Sequence, residues 1–350
     1  MIKLQRSLVR GIQAAVSPVE LHWYLQKAIE LEHSTIPPYL TALFSLKPGT
    51  NDQIAKIIRG IVIEEMLHFT IAGNILVAIG GAPQINTPEF IPKYPGPLPL
   101  SIGGTGFTVG IEAFSKPLVM NTFMVIEEPE NPIPIKTEAL AAEPEYATIG
   151  EFYEALKEKI AELGDGIFTV GASRQVLTWF DAARQFPITS VETANKGIDI
   201  IITEGEGTST DPMQSPGDPA HYYAFGEIYY GKRIIATGPG QWAYGGEPIP
   251  FDLDGVYPMR PNPLIADFAE GTQARTRVEQ YAYSYSSLLN ALHESFNGTP
   301  AKIDVAIGLM YELKMQAVSL MQTPVEPGSL LTAGPSYEYV NTQGGMEKAA

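Results

Sequence analysis

Apolar residues recur every three or four positions along two stretches near the start of the chain, which predicts a pair of amphipathic helices. The first helix is expected over 17–44, where Ser17 followed by proline and a nearby glutamate is typical of a helix start. Pro37 and Pro38 predict a kink or interruption inside it. The second helix is expected from 51 or 52 to 79, where the sequence GGAP ends it.

After this helix pair the chain changes character, because residues 81–148 are too rich in proline and glycine for helices. We interpret this part as a long insertion of loops and short strands that packs on a helical bundle. A single domain over 1–350 is predicted, in which 17–80 is the first helix pair, 149–235 a second half with a second pair, and 236–350 a loop, two further helices and a tail. The remaining helices are predicted over 149–163, 173–185, 189–207, 217–230, 267–296 and 302–321.

Polar residues interrupt the apolar face of the second helix in a pattern that predicts a buried metal ligand set. Glu65 and His68, three positions apart, occupy consecutive places in a seam that is otherwise apolar. A bare carboxylate buried in such a seam costs several kcal/mol unless it is compensated. A cation held by both side chains would provide that compensation. The apolar members of the seam are Ile54, Ile58, Ile61, Ala72 and Ile75.

The first helix repeats the pattern, with Glu32 in the middle of its own apolar seam. One glutamate on one helix and Glu-x-x-His on the next is half of a carboxylate-bridged di-iron site. A four-helix bundle of two similar halves is therefore predicted, and its second half should supply another such set.

For the second half, helical geometry favours Glu206 on the inner face of the helix at 189–207, with Glu204 as the alternative. The matching pair is Asp218 and His221, three positions apart. Asp218 precedes a proline at a helix start, so a role as N-cap is an equal alternative to metal binding. The predicted ligands are Glu32, Glu65, His68, Glu206, Asp218 and His221.

Neighbouring residues are expected to have other roles. His33 lies about 100° round the helix from Glu32, so it should pack or orient a neighbour. Glu64 is expected to support a ligand or to lie at the surface.

Composition narrows the chemistry further. The chain has no cysteine, which excludes disulfides, thiolate metal sites and cysteine nucleophiles. Carboxylate and imidazole ligands suit two non-haem iron ions, and they also accept manganese or zinc. A formal charge of −16 argues against nucleic acid and anionic membranes as partners. With no leader-like N-terminus and only short apolar runs, a cytoplasmic location is expected.

Several segments resemble the ferritin-like domain of iminophenyl-pyruvate dimer synthases, the enzymes of violacein and bisindole pathways. LEHSTIPPYLTAL at 31–43 and IVIEEMLHFTIAGNIL at 61–76 look like the opening helix pair of that domain. The segments EGEGTS, PAHYYAFGEIYYGK, LMYELKMQAVSLMQTP and TAGPSYEY are also similar, so the resemblance covers nearly the whole chain. It implies iron ligation by Glu32, Glu65, His68, Glu206 and His221. Asp218 departs from the pattern, which favours glutamate there.

The function expected from these features is an iron-dependent oxidoreductase that uses dioxygen or peroxide on a small amine-, imine- or indole-like molecule. The main alternative is a ferritin-like iron-binding or ferroxidase protein with no organic substrate. A third hypothesis keeps the fold without the metal, as a structural or partner-binding module. A homo-oligomer is compatible with all three.

Overall fold

A computed structural model of the chain describes residues 4–101, 104, 106–129, 133, 146–207 and 211–342. The α-helices are α1 Arg6–Ala14, α2 Pro18–Phe44, α3 Asp52–Ala78, α4 Lys116–Leu118, α5 Met124–Ile126, α6 Ile149–Leu163, α7 Val191–Glu206, α8 His221–Tyr230, α9 Gln273–Phe296 and α10 Ile303–Met321. A π-helical turn at Val119–Phe123 joins α4 to α5. Short 3₁₀ helices lie at Pro88–Phe90, Pro99–Ser101, Asp165–Ile167, Ala172–Arg174, Leu253–Gly255, Ile265–Asp267 and Pro300–Lys302.

Strands play a minor part and pair two by two, always antiparallel. The pairs are β1 Leu4–Gln5 with β2 Tyr146–Ala147, β3 Met213–Ser215 with β4 Asp218–Pro219, and β5 Lys232–Gly238 with β6 Gln241–Pro248. The β5–β6 hairpin was not expected, because the sequence around it looked like a helix end followed by a loop. The helical content nevertheless confirms the all-α class.

The two helices predicted near the start form the centre of the bundle. α2 and α3 pack against each other along their length, and α7 and α8 pack on α3 and on one another. All five apolar residues of the predicted α3 seam are buried. By length and composition α3 could cross a membrane, but 83% of its most apolar window is buried in the protein. A helix in the core of a protein is apolar and mostly buried in the same way.

The helix α2 continues through Pro37 and Pro38 instead of being interrupted there. Proline lacks an N–H, so the carbonyl four residues before it loses its helical partner. The carbonyl of Ser34, four residues before Pro38, accepts a hydrogen bond of 2.7 Å from the hydroxyl of Tyr94. A side chain from the insertion therefore replaces a missing backbone donor, which explains how α2 remains continuous.

The predicted helix at 173–185 is wrong, because side-chain amides bind the backbone of this segment. The Asn74 side chain donates to the carbonyl of Val176 and accepts from its N–H, at 2.8 and 2.9 Å. The Gln185 side chain accepts from the Phe180 N–H and donates to the carbonyl of Val176, both at 2.9 Å. These tertiary hydrogen bonds take the place of an i to i−4 ladder, so only the 3₁₀ turn Ala172–Arg174 forms.

One continuous apolar cluster of buried residues extends from Ile12 in α1 to Tyr337 in the tail. The insertion contributes to it through residues such as Phe114, Phe123 and Ile126. Of the short strands expected in the insertion, the described part shows β2 at its end and an isolated bridge between Gly96 and Val109. Parts of the predicted insertion at 81–148 and the end of the tail lie outside the described residues.

Candidate metal centre

Two groups of buried carboxylates and imidazoles lie inside the bundle and share one residue. The first group contains Glu32, Glu65 and His68, and the second contains Glu65, Glu127 and His221. Within each group the candidate ligand atoms all lie within 4.8 Å of one another. The imidazole rings of His68 and His221 are 5.5 Å apart and nearly parallel. Glu65 therefore stands where a bridging carboxylate between two ions would stand.

Both histidines direct Nδ1 toward the inner carboxylates. His68 Nδ1 lies 3.6 Å from Glu32 and 3.7 Å from Glu65. His221 Nδ1 lies 3.0 Å from Glu65 and 3.5 Å from Glu127. Both rings present the same nitrogen, Nδ1, to the shared carboxylate of Glu65. The two groups therefore form one centre with two equivalent candidate positions for a metal ion.

The other nitrogen of each imidazole contacts an outer carboxylate. His68 Nε2 lies 3.0 Å from Glu204, and His221 Nε2 lies 3.1 Å from Glu64. A carboxylate only accepts, so Nε2 carries the proton and donates in both pairs. Arg184 links the outer carboxylates, at 2.9 Å from Glu204 and 3.6 Å from Glu64. This arrangement fixes ring orientation and tautomer as in carboxylate–histidine–metal triads.

Hydroxyl groups hold the inner carboxylates in place. Thr35 donates to Glu65 at 2.6 Å. Tyr153 on α6 donates to Glu32, and Tyr39 on α2 donates to Glu127. Burial raises the pKa of both tyrosines well above its ordinary value, and the neighbouring carboxylates raise it further. Both phenols are therefore neutral hydrogen-bond donors.

The pKa values of the centre are shifted because several ionisable side chains are buried close to one another. Burial, together with the charge of Glu127, raises the pKa of Glu65 to about 7. Burial alone would lower the pKa of His68, but hydrogen bonds with Glu204 and Glu32 outweigh burial and raise it to about 10. The pKa of His221 is also well above its usual value, because Glu127, Glu64 and Glu65 outweigh the effect of burial. In the absence of a cation, protons on the imidazoles partly neutralise the carboxylates.

The donor set fits a pair of divalent ions in both charge and geometry. With neutral imidazoles, the three inner and two outer carboxylates carry five negative charges, and Arg184 offsets one of them. Two divalent ions would balance the remaining four. His221 Nδ1 is also a buried atom with no hydrogen-bond partner, although a carboxylate oxygen lies only 3.0 Å away. When the imidazole is neutral with its proton on Nε2, the Nδ1 lone pair is available to a metal.

The structure brings four of the six predicted ligands together: Glu32, Glu65, His68 and His221. Each is at most 5% exposed, although the two carboxyl groups and the two imidazoles can all carry charge. The seam argument located them because a polar side chain on the inner face of α2, α3 or α8 has no other direction in which to point.

Glu206 does not join these groups, and its predicted alternative Glu204 contacts His68 instead. The buried face of α7 consists of Ala194, Gly197, Ile198, Ile201 and Glu204. The face of α7 that points into the bundle therefore contains Ile201 and Glu204, whereas the face inferred from Ile198 and Ile202 contained Glu206. The carboxylate of Glu206 accepts a hydrogen bond of 2.7 Å from the Gly150 N–H, at the edge of the cavity beside the centre.

Asp218 also lies outside both groups. The argument for it assumed a helix from 217, whereas α8 begins at His221 and Asp218 belongs to the short strand β4. Without a helical turn between them, Asp218 and His221 do not share a face. Asp218 is exposed, and burial of part of its carboxyl together with the charge of Glu64 raises its pKa.

Sequence reasoning missed Glu127, which occupies the place expected of Asp218. It follows α5 directly, at the end of the insertion segment that looked extended. The available signal was an acidic residue next to an apolar run, with Phe123 one turn earlier on the buried side. The π-helical turn changes the residue spacing, so no simple helical phase would have placed Glu127 inward.

The space beside the centre is small. A cavity of about 30 Å³ adjoins Glu32, Glu65, His68 and Glu127, and apolar residues from α5, α6 and α7 close it. This volume holds about two water molecules.

Comparison with known proteins gives three consistent matches. A sequence profile of the family described as Ferritin-like matches residues 25–230. Dichlorochromopyrrolate synthase from Lentzea aerocolonigenes is 24% identical over 325 aligned residues, which cover 80% of this chain and 29% of the synthase. The chain thus spans about three tenths of that relative's length.

A solved structure described as a ferritin like protein from Caulobacter vibrioides is 25% identical, with a TM-score of 0.61. The match covers 91% of this chain and 97% of that one. These findings confirm the predicted ferritin-like fold and the expected similarity to ferritin-like synthases. Since the profile extends over more than half of the chain and includes every residue of the candidate centre, this protein belongs to the Ferritin-like family.

Proposed function

We propose that the protein is a non-haem di-iron oxidoreductase that uses dioxygen or peroxide to oxidise a small amine-, imine- or indole-like molecule. The observation that carries the proposal is the pair of buried ligand groups that share Glu65. Two imidazoles and three carboxylates are a ligand set that iron accepts. Manganese or zinc would fit the same donors, so the choice of iron rests on the family.

The residues of the chain have separate tasks in this proposal. Bound iron would supply the redox chemistry with the oxidant. Glu32 and Glu127 each hold one side of the centre, and Glu65 joins the two sides. Glu204 and Glu64 keep Nε2 of each histidine protonated, which leaves Nδ1 free for a metal. Apolar residues around the cavity limit it to about two water molecules.

Similarity to a synthase supports an enzymatic role. The relative, dichlorochromopyrrolate synthase, is by its name an enzyme, and the aligned region covers most of this chain. Because that region is a minor part of the synthase, its reaction is not transferred to this protein. The substrate class is therefore proposed only as a small organic molecule of amine, imine or indole type.

One observation favours the second candidate, a ferroxidase or iron-binding protein without an organic substrate. The cavity of about 30 Å³ beside the centre admits dioxygen or water but not an aromatic molecule. In that case the oxidant would meet iron alone, and any organic substrate would need to bind elsewhere or open the site.

Anaerobic titration of the metal-free protein with Fe(II) tests the centre itself. The wild-type chain should bind two ions, measured by metal analysis after desalting and by the Mössbauer spectrum of the loaded protein. Glu65→Gln should lose at least one ion, because it removes the shared ligand. Asp218→Asn is the matched control and should keep both. Equal iron content in the two variants, or no binding to the wild type, would contradict the proposal.

Oxygen consumption by the iron-loaded protein separates the two candidates. In the proposed enzyme, repeated consumption should continue when an aromatic amine, an indole or an imine formed from a 2-oxo acid and ammonia is supplied with a reductant. A ferroxidase should instead consume oxygen once, in proportion to the Fe(II) added, regardless of the organic compound. Sustained turnover would exclude the second candidate, and a single iron-dependent phase would exclude the first.

A further inference from the structure

A second, larger cavity lies on the opposite side of the α2–α3 pair from the metal centre. It has a volume of about 320 Å³ and is enclosed by α2, α3, α9, α10 and the segment around Phe180. On α2, Glu32 faces the centre while the adjacent His33 lines the cavity. On α3, His68 and the adjacent Phe69 divide in the same way. One layer of two helices thus separates the two sites.

The wall of this cavity is aromatic and contains one unsatisfied polar atom. Phe69, Phe180, Tyr281 and Tyr285 contribute to it, with leucines from α2 and α9 between them. His33 Nε2 pairs with the Tyr285 hydroxyl at 2.7 Å, but its Nδ1 is buried without a hydrogen-bond partner. A cavity of a few hundred Å³ with aromatic walls and few polar groups is typical of a small-molecule site.

Some residues that line the cavity are exposed to solvent, and these define its mouth. They include two cations, Arg59 on α3 and Lys314 on α10, and neither forms an ion pair within the described part of the chain. Two uncompensated positive charges beside an apolar opening contrast with the protein's formal charge of −16. They make the mouth locally attractive to an anion.

Trp179 also lies at the mouth, where its side chain is 49% exposed. Its φ of 117° is in a region that a bulky side chain adopts only under strain. Strained backbone of this kind tends to occur at ligand clamps and active sites. The tryptophan is therefore a candidate to cover a bound ligand.

We propose that this cavity binds an aromatic monocarboxylate, with the ring between the aromatic walls and the carboxylate at the mouth beside Arg59 and Lys314. Aromatic pairs add affinity beyond area burial, which favours an aromatic over an aliphatic body. The guanidinium and ammonium groups favour a carboxylate over a neutral head group. The inference concerns binding alone and does not depend on the proposed redox function.

Isothermal titration with three ligands tests the chemistry of the site. The probes are 4-phenylbutyrate, its neutral counterpart 4-phenylbutan-1-ol and the aliphatic carboxylate decanoate. 4-Phenylbutyrate should bind once per chain and about five-fold or more tighter than the alcohol, as expected for two partly exposed ion pairs. Equal affinity for the alcohol would overturn the role of the cations, and tighter binding of decanoate would overturn the aromatic specificity.

Variants test the location. Arg59→Gln with Lys314→Gln should remove the preference for the carboxylate. Lys56→Gln with Lys232→Gln neutralises two exposed lysines outside the cavity and should leave the preference unchanged. Met310→Trp places an indole in the cavity from α10 and should abolish binding of all three probes. Its thermal unfolding, compared with that of the wild type, shows whether the variant is folded.

The metal-site variant Glu65→Gln distinguishes this inference from the proposed function. It should bind 4-phenylbutyrate as the wild type does, because Glu65 faces the other side of α3. Binding that is lost in Glu65→Gln but kept in Met310→Trp would place the ligand at the metal centre and overturn the inference. So would the absence of binding to the wild type at millimolar ligand.

Discussion

At the scale of single residues, α3 carries two chemistries on adjacent side chains. Glu65 and His68 face the metal centre, whereas Phe69 faces the aromatic cavity. Glu64, which immediately precedes Glu65, contacts Nε2 of His221. The alternation follows from the 100° step of the helix, which turns neighbouring residues to different sides.

The raised pKa values of the centre predict that metal binding releases protons. The pKa of His68 is about 10, and that of His221 is also raised, so both imidazoles are protonated at neutral pH without metal. A metal needs the neutral Nδ1 lone pair, so each ion displaces about one proton. Affinity for Mn(II) should therefore rise about tenfold for each unit of pH between about 7 and 8, and more steeply below about 7, where Glu65 must also lose a proton.

Calorimetry in two buffers of different ionisation enthalpy measures these protons directly. Glu204→Gln removes one of the groups that raise the pKa of His68, so this variant should release fewer protons per ion. Glu206→Gln, on the same helix but bound to Gly150, should behave as the wild type. An affinity that does not change with pH would contradict protonated imidazoles in the metal-free centre.

Sequence patterning located the candidate ligands that lie on regular helices and missed the one that depends on irregular backbone. Glu32, Glu65 and His68 follow from the seams of α2 and α3, because the period of a long helix fixes which residues face inward. Glu127 follows a π-helical turn, and the start of α8 at His221 removes Asp218 from the predicted face. Glu204, and not Glu206, contacts His68, because the buried face of α7 continues from Ile198 through Ile201 to Glu204.

At the scale of elements, α2 is an unusual helix because two consecutive prolines lie in its buried interior. Each proline in a helix interior costs about 3 kcal/mol or more when nothing compensates. The hydroxyl of Tyr94 compensates in part by donating to the freed carbonyl of Ser34, which is fully buried. The insertion therefore supports the helix that carries Glu32.

Removal of this hydroxyl should weaken the protein. Tyr94→Phe leaves the buried Ser34 carbonyl without a donor, which costs about 1–3 kcal/mol of the free energy of unfolding. Urea denaturation followed by circular dichroism measures the loss. Tyr339→Phe is the matched control: it removes a hydroxyl that donates 2.9 Å to the partly exposed Asn86 carbonyl, where water can substitute. A loss for Tyr94→Phe no larger than for the control would contradict this role.

Element boundaries were predictable where local signals decide them and not where tertiary contacts do. α2 and α3 begin and end within about a residue of the prediction, as do α6 and α10. The segment at 173–185 has helix-forming residues, yet the side chains of Asn74 and Gln185 hydrogen-bond its backbone at Val176 and Phe180. No pattern within that segment indicates that an asparagine on a distant helix would complete its hydrogen bonds.

At the scale of the whole molecule, the candidate centre is a junction between parts that are distant in sequence. Glu32 comes from α2, Glu65 and His68 from α3, Glu127 from the insertion and His221 from α8. Each carboxylate there is buried, and mutual repulsion opposes their approach when no cation is present. The fold thus accepts an electrostatic cost at its centre, and a bound metal would turn that cost into a stabilising link.

Metal removal should therefore lower the unfolding temperature of the entire chain. At a free metal concentration of about 1,000 times Kd, binding adds about 4 kcal/mol to the free energy of unfolding. For 350 residues this corresponds to an increase of roughly 6 °C in Tm, measured by calorimetry with Mn(II) against a chelator. Glu65→Gln should show less of this increase, because the bridging ligand is absent, and Asp218→Asn should show all of it. The same increase in both variants would mean that the metal stabilises the protein from outside this centre.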